Sequence, residues 1–544
     1  MSYAAYHKLK VMVVDDFESF RQTVITMLQN FGVEDIDSAE SGNVALKWCS
    51  EKKYDLILAD YNLGRGRNGQ QILEQLRHEK ILTYETLFIL ISAESSRSII
   101  MSAYDYEPDA YLAKPITGKS LKQRLDRLLI QRDEMMPIYK AIDLGKVSDA
   151  IDLLKQQITG ATRNSSVCQR LLGELYLETH QFPAAEAVYR EALEVRSLDW
   201  AKVGMAKVKK ATGEFDKAKR WLIDIIKKNP LCLPAYDVLA EIHEQESDPE
   251  ALEAVLKKAV EFSPMAILRQ ERLAKAAGAI NDNQTAALAY RQTVRLGTNS
   301  CHNKRDNHLN FGRAAAQLLK EGQSNATEVS REAIRVLEEI GTNFSQTEEE
   351  AVQALLVESQ VLAGQGHKRK AVETVERAQK RLENVEEFET VDTQLDLVLA
   401  LRSTGFDKEA DELVKTVVDQ YQHDQEALQK IDYLLEEPIS DYNRKRVATI
   451  NKEGIDHYEQ QHYKQAIVCF KNAQKVFPNH IGIRLNLVQA VEGEMREYGY
   501  DSLLLELAKL TLNKVKVQIK GTHKQYERYL QLHDMLKTIE NRNK

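Results

Sequence analysis

The feature that most constrains the fold is a short apolar run that ends in a carboxylate. Asp55 to Ala59 are mostly apolar, and Asp60 follows directly. A run of this kind, without alternation, is typical of a strand buried on both faces of a parallel sheet. Open α/β sheets bind their ligands beyond the carboxyl ends of the strands. We therefore expect Asp60 to lie at such an edge and regard it as the candidate nucleophile.

Apolar strand patterns alternate with helical patterns from residue 1 to about residue 130. The predicted strands are Lys10–Val14, Asp35–Ala39, Asp55–Ala59, Leu87–Ile91 and Ala110–Leu112. The predicted helices are Glu18–Asn30, Ser41–Glu51, Gln70–Glu79, Arg97–Tyr104 and Gly118–Arg132. Five strand–helix units in succession predict an α/β fold with a doubly wound, five-stranded parallel sheet.

Polar residues follow four of these strands. They are Asp15 and Asp16 after the first strand, Asp60 after the third, Ser92 after the fourth and Lys114 after the fifth. We expect them to converge on one rim of the sheet, where three carboxylates repel one another unless a cation is present. Hard oxygen ligands suit Mg²⁺. A cation beside a carboxylate, a lysine and a hydroxyl suits phosphoryl transfer to an aspartate.

Two simpler interpretations compete with this one. The spacing of Gly64, Gly66 and Gly69 matches the G-x-G-x-x-G pattern of dinucleotide binding, although it falls in the third strand unit rather than the first. Each candidate residue also has an ordinary structural role available, such as a helix cap for Asp15 and Asp16. The joint occurrence of all five favours a functional site.

Together with Tyr111 and the Lys114–Pro115 pair, this constellation resembles the receiver domain of bacterial response regulators over roughly residues 8 to 132. The resemblance implies that Asp60 is the phosphoacceptor. It also implies that Mg²⁺ is bound by Asp15, Asp16, Asp60 and the backbone carbonyl of Asn62.

The same resemblance implies roles for three further side chains. Lys114 would pair with the phosphoryl oxygens, Ser92 would swing to hydrogen-bond the phosphoryl group, and Tyr111 would turn inward as a switch. The loop after Asp60 departs from the family pattern, because it is one residue longer and has Gly64 where a proline is usual. Catalysis beyond self-phosphorylation and its reversal is not indicated.

Composition narrows the class of protein. The net charge of −8 argues against general nucleic-acid binding. Five scattered cysteines without C-x-x-C spacing are typical of a reducing compartment. We find neither an export signal nor an apolar run of the ~20 residues that a membrane span requires. The expectation is a cytoplasmic protein without membrane insertion.

From about Met135 onward the pattern becomes helical and repetitive. Small or apolar residues recur at offsets of 12 and then 7, in the sets Gly173, Ala185, Ala192; Ala206, Ala218, Ile225; Ala240, Leu252, Ala259; and Ala274, Ala286, Thr293. Small residues at such places let antiparallel helices approach closely, and stacked pairs bury a continuous core. The spacing resembles that of tetratricopeptide repeats.

This resemblance predicts the remaining organisation of the chain. Residues 1–132 would form the receiver, residues 133–440 a tetratricopeptide-like array with irregular later repeats, and residues 441–544 a further repeat around Gly454 with capping helices. Such arrays bind proteins in a concave groove, so the expected partners are a sensor histidine kinase or phosphotransfer protein, an unknown protein in the groove, and a second copy in a homodimer. The alternatives are a scaffold that ignores phosphorylation, or an enzyme fold hidden in residues 300–440.

Two further stretches, one basic and one with potential metal ligands, each have two competing interpretations. Between Trp200 and Pro230, nine basic residues form either a groove for an acidic partner or a solvated helix face. Cys301, His302 and His308 lie close together in sequence but lack zinc-site spacing and a fourth ligand, which argues against a metal site there.

Overall fold

The computed structural model describes residues 6–64, 66–94, 96, 100–102, 105–160, 163–323, 325–384, 390–519 and 521–542. The chain divides into two compact units. The first comprises Met1–Ala276 with Leu288–Asn307, and the second comprises Ala277–Ala287 with His308–Lys544. The predicted boundaries at residues 132 and 440 stay predictions.

The first unit begins with the predicted five-stranded sheet, in which every pairing is parallel. Its strands are β1 (Lys10–Val14), β2 (Asp35–Ala39), β3 (Leu56–Asp60), β4 (Leu87–Ser92) and β5 (Ala110–Ala113), in the order β2-β1-β3-β4-β5. This order is that of flavodoxin-like doubly wound sheets, whose switch point lies between β1 and β3. The predicted fold class of this region is confirmed. Asp60 and Ser92 are the last residues of their strands rather than the first residues beyond them.

Both faces of the sheet are buried, which explains the unalternated apolar strands. In β1, Val11 and Val13 pack into one apolar cluster, while Met12 and Val14 pack into the cluster on the opposite face. The helices that cover these faces are Glu18–Phe31, Gly42–Glu51, Gly69–His78 and Gly118–Asp143. Of the helix expected from Arg97 to Tyr104, only residues 100–102 are described, and they are helical; the remainder lies outside the described residues.

The helix that starts at Gly118 was expected to end at Arg132, and this expectation is wrong. It continues to Asp143 with Pro137 inside it. Met135, Ile138 and Ala141 recur at intervals of three residues and are buried among the helices that follow. Their burial carries the helix onward from the sheet domain into the helical region, so the two regions share a continuous element.

Nine further helices follow among the described residues up to residue 297. The bounds are Val147–Thr159, Ser165–Glu178, Phe182–Val195, Asp199–Ala211, Phe215–Lys228, Leu233–Gln245, Pro249–Phe262, Ile267–Ala279 and Asn283–Gly297. The small residues lie at close helix contacts: a Cβ on Gly173 would come within 2.5 Å of the Tyr189 ring, and Ala185 and Ala192 are buried. The helical character of this region is confirmed, while its assignment to tetratricopeptide repeats stays a prediction.

Helices also make up the region from residue 305 onward. They are Arg305–Lys320, Ala326–Glu338, Ile340–Asn343, Glu348–Gly364, Lys368–Leu382, Val391–Thr404, Asp407–Gln420, Gln425–Ile431, Asp441–Glu459, Tyr463–Val476, Ile481–Tyr498, Ser502–Gln518 and Tyr526–Arg542. The Gly173–Tyr189 contact has a counterpart here, because a Cβ on Gly454 would come within 2.5 Å of the Phe470 ring. Within the described parts of the chain, no helix is both long and apolar enough to cross a membrane.

Candidate functional site

Three carboxylates meet at the carboxyl edge of the sheet. Asp15 follows β1 and Asp60 ends β3, and these two strands are neighbours. One carboxylate oxygen from each of Asp15, Asp16 and Asp60 lies within 4.8 Å of the others. Asp15 and Asp60 are 2% and 6% exposed, whereas Asp16 is exposed. The strand order therefore brings together the acids that the sequence separates by more than forty residues.

Lys114 bridges two of these acids from the end of β5. Its Nζ lies 2.9 Å from Asp15 Oδ2 and 3.0 Å from Asp60 Oδ2. The ammonium group also sits 4.0 Å from the centre of the Phe20 ring, a cation–π contact. The backbone of Lys114 is fixed by its N–H, which donates to the Ser92 carbonyl at 2.7 Å.

Burial and the contact between Asp60 and Lys114 have opposite effects on the pKa values of these two groups. Burial raises the pKa of Asp60, and the neighbouring Asp15 adds to the rise, while Lys114 and the backbone N–H of Asn62 oppose it. Burial would lower the pKa of Lys114, but its hydrogen bonds to Asp15 and Asp60 outweigh that effect and raise it. Lys114 is therefore positively charged, and it offsets one of three clustered negative charges.

Ser92 and Tyr111 lie at the neighbouring strand ends and are linked through Glu94. Ser92 is buried, and its Oγ accepts a hydrogen bond from the Glu94 N–H at 2.9 Å. The half-buried Tyr111 donates its hydroxyl proton to the Glu94 carbonyl at 2.8 Å. These two hydroxyl groups thus hold the segment after β4 rather than the Asp60 carboxylate.

The turn after Asp60 requires glycine at Gly69. A Cβ at this position would lie 2.2 Å from the Asp60 carbonyl oxygen. Two N–H groups at the start of the helix Gly69–His78 are occupied: the Gly69 N–H donates to the Tyr61 carbonyl, and the Gln71 N–H donates to the Asn68 side chain in a capping box. A dinucleotide pyrophosphate needs those N–H groups, so the geometry disfavours the nucleotide interpretation.

Sequence reasoning missed two residues that support the acids. Phe20 lies beneath Lys114, and Arg21 donates to the Asp15 carbonyl at 2.7 Å. Both lie in the first turn of the helix Glu18–Phe31, so the available signal was their position immediately after the Asp15–Asp16 pair.

A buried polar contact joins the sheet domain to the helical region of the same unit. Arg269 forms ion pairs of 2.7 Å with both Asp105, which precedes β5, and Asp237. Ser263 donates to Asp105 at 2.6 Å and lies 3.1 Å from the hydroxyl oxygen of the buried Ser102. Ser102 and Asp105, which lie between β4 and β5 in the sequence, are therefore held against the helices.

At least five of the nine basic residues between Trp200 and Pro230 form ion pairs. Lys209 contacts Glu186 and Glu214, Lys210 contacts Glu241, and Lys219 contacts Glu246. These pairs favour the solvated helix face over a groove for an acidic partner.

Comparison with known proteins identifies the sheet domain. Residues 11–126 match the family model of the response regulator receiver domain. The N-terminal region is a receiver domain. It is similar to the chemotaxis protein CheY-3 of Vibrio cholerae, with 29% identity over 120 residues that cover 91% of that protein and 22% of this chain. The chemotaxis protein CheY of Pseudomonas aeruginosa is 26% identical over 120 residues, which cover 95% of that protein and 22% of this chain.

Among solved structures, the receiver is similar to Vibrio cholerae CheY4. The match covers 98% of that chain and 22% of this one, with 26% sequence identity and a TM-score of 0.21. The receiver fold follows from the strand order β2-β1-β3-β4-β5 of this chain.

Proposed function

We propose that this chain is a response regulator of a phosphorelay, phosphorylated on Asp60, whose helical region carries the output through contacts with other proteins. The observation that carries the proposal is the pairing of Lys114 with both Asp15 and Asp60. A sensor histidine kinase or a phosphotransfer protein would supply the phosphoryl group.

The charge balance of the acid cluster supports Mg²⁺ as its cofactor. Three carboxylates with one lysine leave two uncompensated negative charges, which a divalent cation with oxygen ligands would neutralise. Asp15, Asp16, Asp60 and the backbone carbonyl of Asn62 would hold it. When bound, the cation neutralises charge on the transferring phosphoryl group.

Residues of this chain then account for the transfer. An Asp60 oxygen attacks the phosphorus of a phosphohistidine, the P–O bond forms, and the P–N bond breaks with its electron pair remaining on the imidazole nitrogen. The Lys114 ammonium, already 3.0 Å from Asp60, stabilises charge on the phosphoryl oxygens. The polar side chains of Asn62 and Glu94 near the site favour access of water and a short-lived aspartyl phosphate.

The contact between receiver and helices offers a route for the output. Ser92 and Tyr111 hold Glu94, and the segment that follows leads to Ser102 and Asp105, which contact Ser263 and Arg269. Movement of the Ser92 hydroxyl toward a phosphoryl group would release Glu94 and change the positions of Ser102 and Asp105. Phosphorylation would thus alter the grip of the helices on the receiver or on a partner.

A scaffold that ignores phosphorylation is the second candidate. It is favoured by one observation, which is that the Asp105–Arg269 ion pair joins the receiver to the helices without involving Asp60. In this case the receiver would be a docking module only.

Partner capture separates the two candidates. Partners would be isolated with the full chain as wild type, as Asp60→Ala, and as Asp35→Ala, an exposed acid at the opposite end of the sheet. Each capture would be performed with and without the phosphate mimic beryllofluoride. The phosphorelay proposal expects proteins that bind wild type and Asp35→Ala in only one condition, and expects no such difference for Asp60→Ala. Identical partner sets throughout would favour the scaffold.

A further inference from the structure

A second cluster of metal-binding side chains lies in the same unit as the receiver. His78 ends the helix Gly69–His78, while Cys301 and His302 lie in the turn before residue 305. One potential ligand atom from each lies within 4.8 Å of the others. The sequence grouped Cys301 and His302 with His308, but the structure supplies His78 as the third residue.

Glu74 adds a carboxylate to this cluster. It lies one helical turn before His78, so both side chains share a helix face. Glu74 is 4% exposed, and its Oε1 is 3.5 Å from His302 Nε2. Tyr106 donates to Oε1 at 2.7 Å and Ser300 donates to Oε2 at 2.8 Å. Such hydrogen bonds orient carboxylates that bind metals.

The donor set selects a class of ion. We propose that Glu74, His78, Cys301 and His302 bind a transition-metal dication such as Zn²⁺. One thiolate, two imidazoles and one carboxylate are four ligands that zinc accepts in a tetrahedron, whereas Mg²⁺ requires oxygen ligands. Metal–ligand bonds of about 2.0–2.3 Å require ligand atoms roughly 3.3–3.8 Å apart. Side-chain rotations that bring His78, Cys301 and His302 about 1 Å closer than their 4.8 Å limit, and that turn the Glu74 carboxylate toward them, complete the site. Cys301 releases its thiol proton to solvent.

The position of the site gives the metal a structural consequence. Glu74 and His78 belong to the receiver, and Cys301 and His302 belong to the helical region. A single ion would therefore cross-link the two beside Tyr106, close in sequence to the Asp105–Arg269 contact. Metal binding would hold the receiver on the helices independently of Asp60.

Ordinary packing is the competing explanation. The His78 and His302 rings meet edge to face with centroids 5.5 Å apart, and His302 Nε2 lies 3.5 Å from Glu74 Oε1. These contacts alone would join the receiver to the helices without any metal.

Cobalt titration distinguishes the two explanations. The full chain would be stripped with a chelator and titrated with Co²⁺ in excess Mg²⁺, followed by Zn²⁺ competition. A thiolate bound to Co²⁺ gives an intense near-ultraviolet band, and tetrahedral geometry gives visible bands. We expect one Co²⁺ per chain, displaced by Zn²⁺, with the near-ultraviolet band lost in Cys301→Ser and the affinity at least about tenfold weaker in His78→Gln.

The control variants are Cys469→Ser and His180→Gln, which change the same residue types elsewhere. Both should bind Co²⁺ as the wild type does. Absence of the band in wild type, or its persistence in Cys301→Ser, would overturn the site. Wild-type affinity in a folded His78→Gln variant would overturn the proposed ligand set, because His78 would then not bind the metal.

Discussion

The two clusters of candidate ligands in the first unit differ in how the chain assembles them. The acid cluster (Asp15, Asp16, Asp60) forms at the ends of adjacent parallel strands, and it offers oxygen alone. The mixed cluster (His78, Cys301, His302 with Glu74) joins residues 223 positions apart, His78 and Cys301, and it offers nitrogen, sulfur and oxygen. In a parallel sheet, residues that follow successive strands meet at one edge, so the sequence pattern predicts the site. Residues that meet because a receiver packs on helices follow no such pattern.

The largest expected effect is a reciprocal loss of metal binding. Asp15→Asn replaces a charged carboxylate ligand by a neutral amide and should weaken Mg²⁺ binding by more than about a hundredfold while leaving Co²⁺ binding unchanged. Cys301→Ser should do the reverse. Calorimetric titration of both variants with both ions measures this. A single variant that weakens both ions to the same degree would show that the two clusters are not independent.

Removal of Lys114 should have the next largest effect. Lys114→Met leaves the buried Asp15 and Asp60 unpaired, so the free energy of unfolding without Mg²⁺ should fall by about 3 kcal/mol. Mg²⁺ should bind this variant more tightly than wild type, since no ammonium competes for the carboxylates. Chemical denaturation with and without Mg²⁺ tests both statements.

Lys122→Met is the matched control. Lys122 forms a solvent-exposed pair with Asp126, so its loss should cost less than about 1 kcal/mol. Weaker Mg²⁺ binding by Lys114→Met would contradict the assignment of Lys114 as a charge competitor at the acid cluster.

Gly69 tests how closely the backbone must pass the acid cluster. Gly69→Ala places a methyl group 2.2 Å from the Asp60 carbonyl oxygen, and relief of this overlap should cost about 2 kcal/mol of stability. Gly118 starts another helix, and a Cβ at this position would have its nearest neighbouring atom at 3.8 Å. Gly118→Ala should therefore be neutral or slightly stabilising. Equal melting temperatures for the two variants would argue against the tight turn.

The smallest expected effect is the titration of His308. It tests whether His308 is rightly left out of the mixed cluster. Its ring packs against Phe344 with centroids 5.0 Å apart, and burial lowers its pKa to about 4. The unfolded chain binds a proton near pH 6.5, so acidification below that value favours unfolding. The second unit should lose about 1 kcal/mol between pH 7 and pH 5.5.

Hydrogen exchange of amides in the second unit measures this loss, with His308→Gln as the variant that lacks the titrating ring. The difference between wild type and variant should be independent of Zn²⁺. A Zn²⁺-dependent difference would place His308 among the ligands after all.

Much of the receiver was predictable because local pattern and strand order act together. Every strand boundary was predicted within one residue, and the positions of the acids followed from the strand ends. The continuation of the helix through Pro137 to Asp143 was not predictable, because burial of Met135 and Ile138 outweighs the unfavourable proline. Burial of that kind depends on tertiary partners.

The mixed cluster and the Asp105–Arg269 ion pair could not be predicted from the sequence for a related reason. Cys301 and His302 lacked a fourth ligand in their own loop, and their partners Glu74 and His78 lie on a receiver helix whose sequence shows only an amphipathic pattern. Single residues that meet through packing of separate regions leave no spacing to detect.

Phosphoryl incorporation tests the central claim most directly. The full chain would be incubated with a labelled acyl phosphate donor, with and without Mg²⁺, as wild type and as Asp60→Asn. We predict up to one phosphoryl group per chain, dependent on Mg²⁺ and absent from Asp60→Asn. Equal labelling of Asp60→Asn, or no labelling of wild type by this donor or by any phosphorylated histidine partner, would contradict the account.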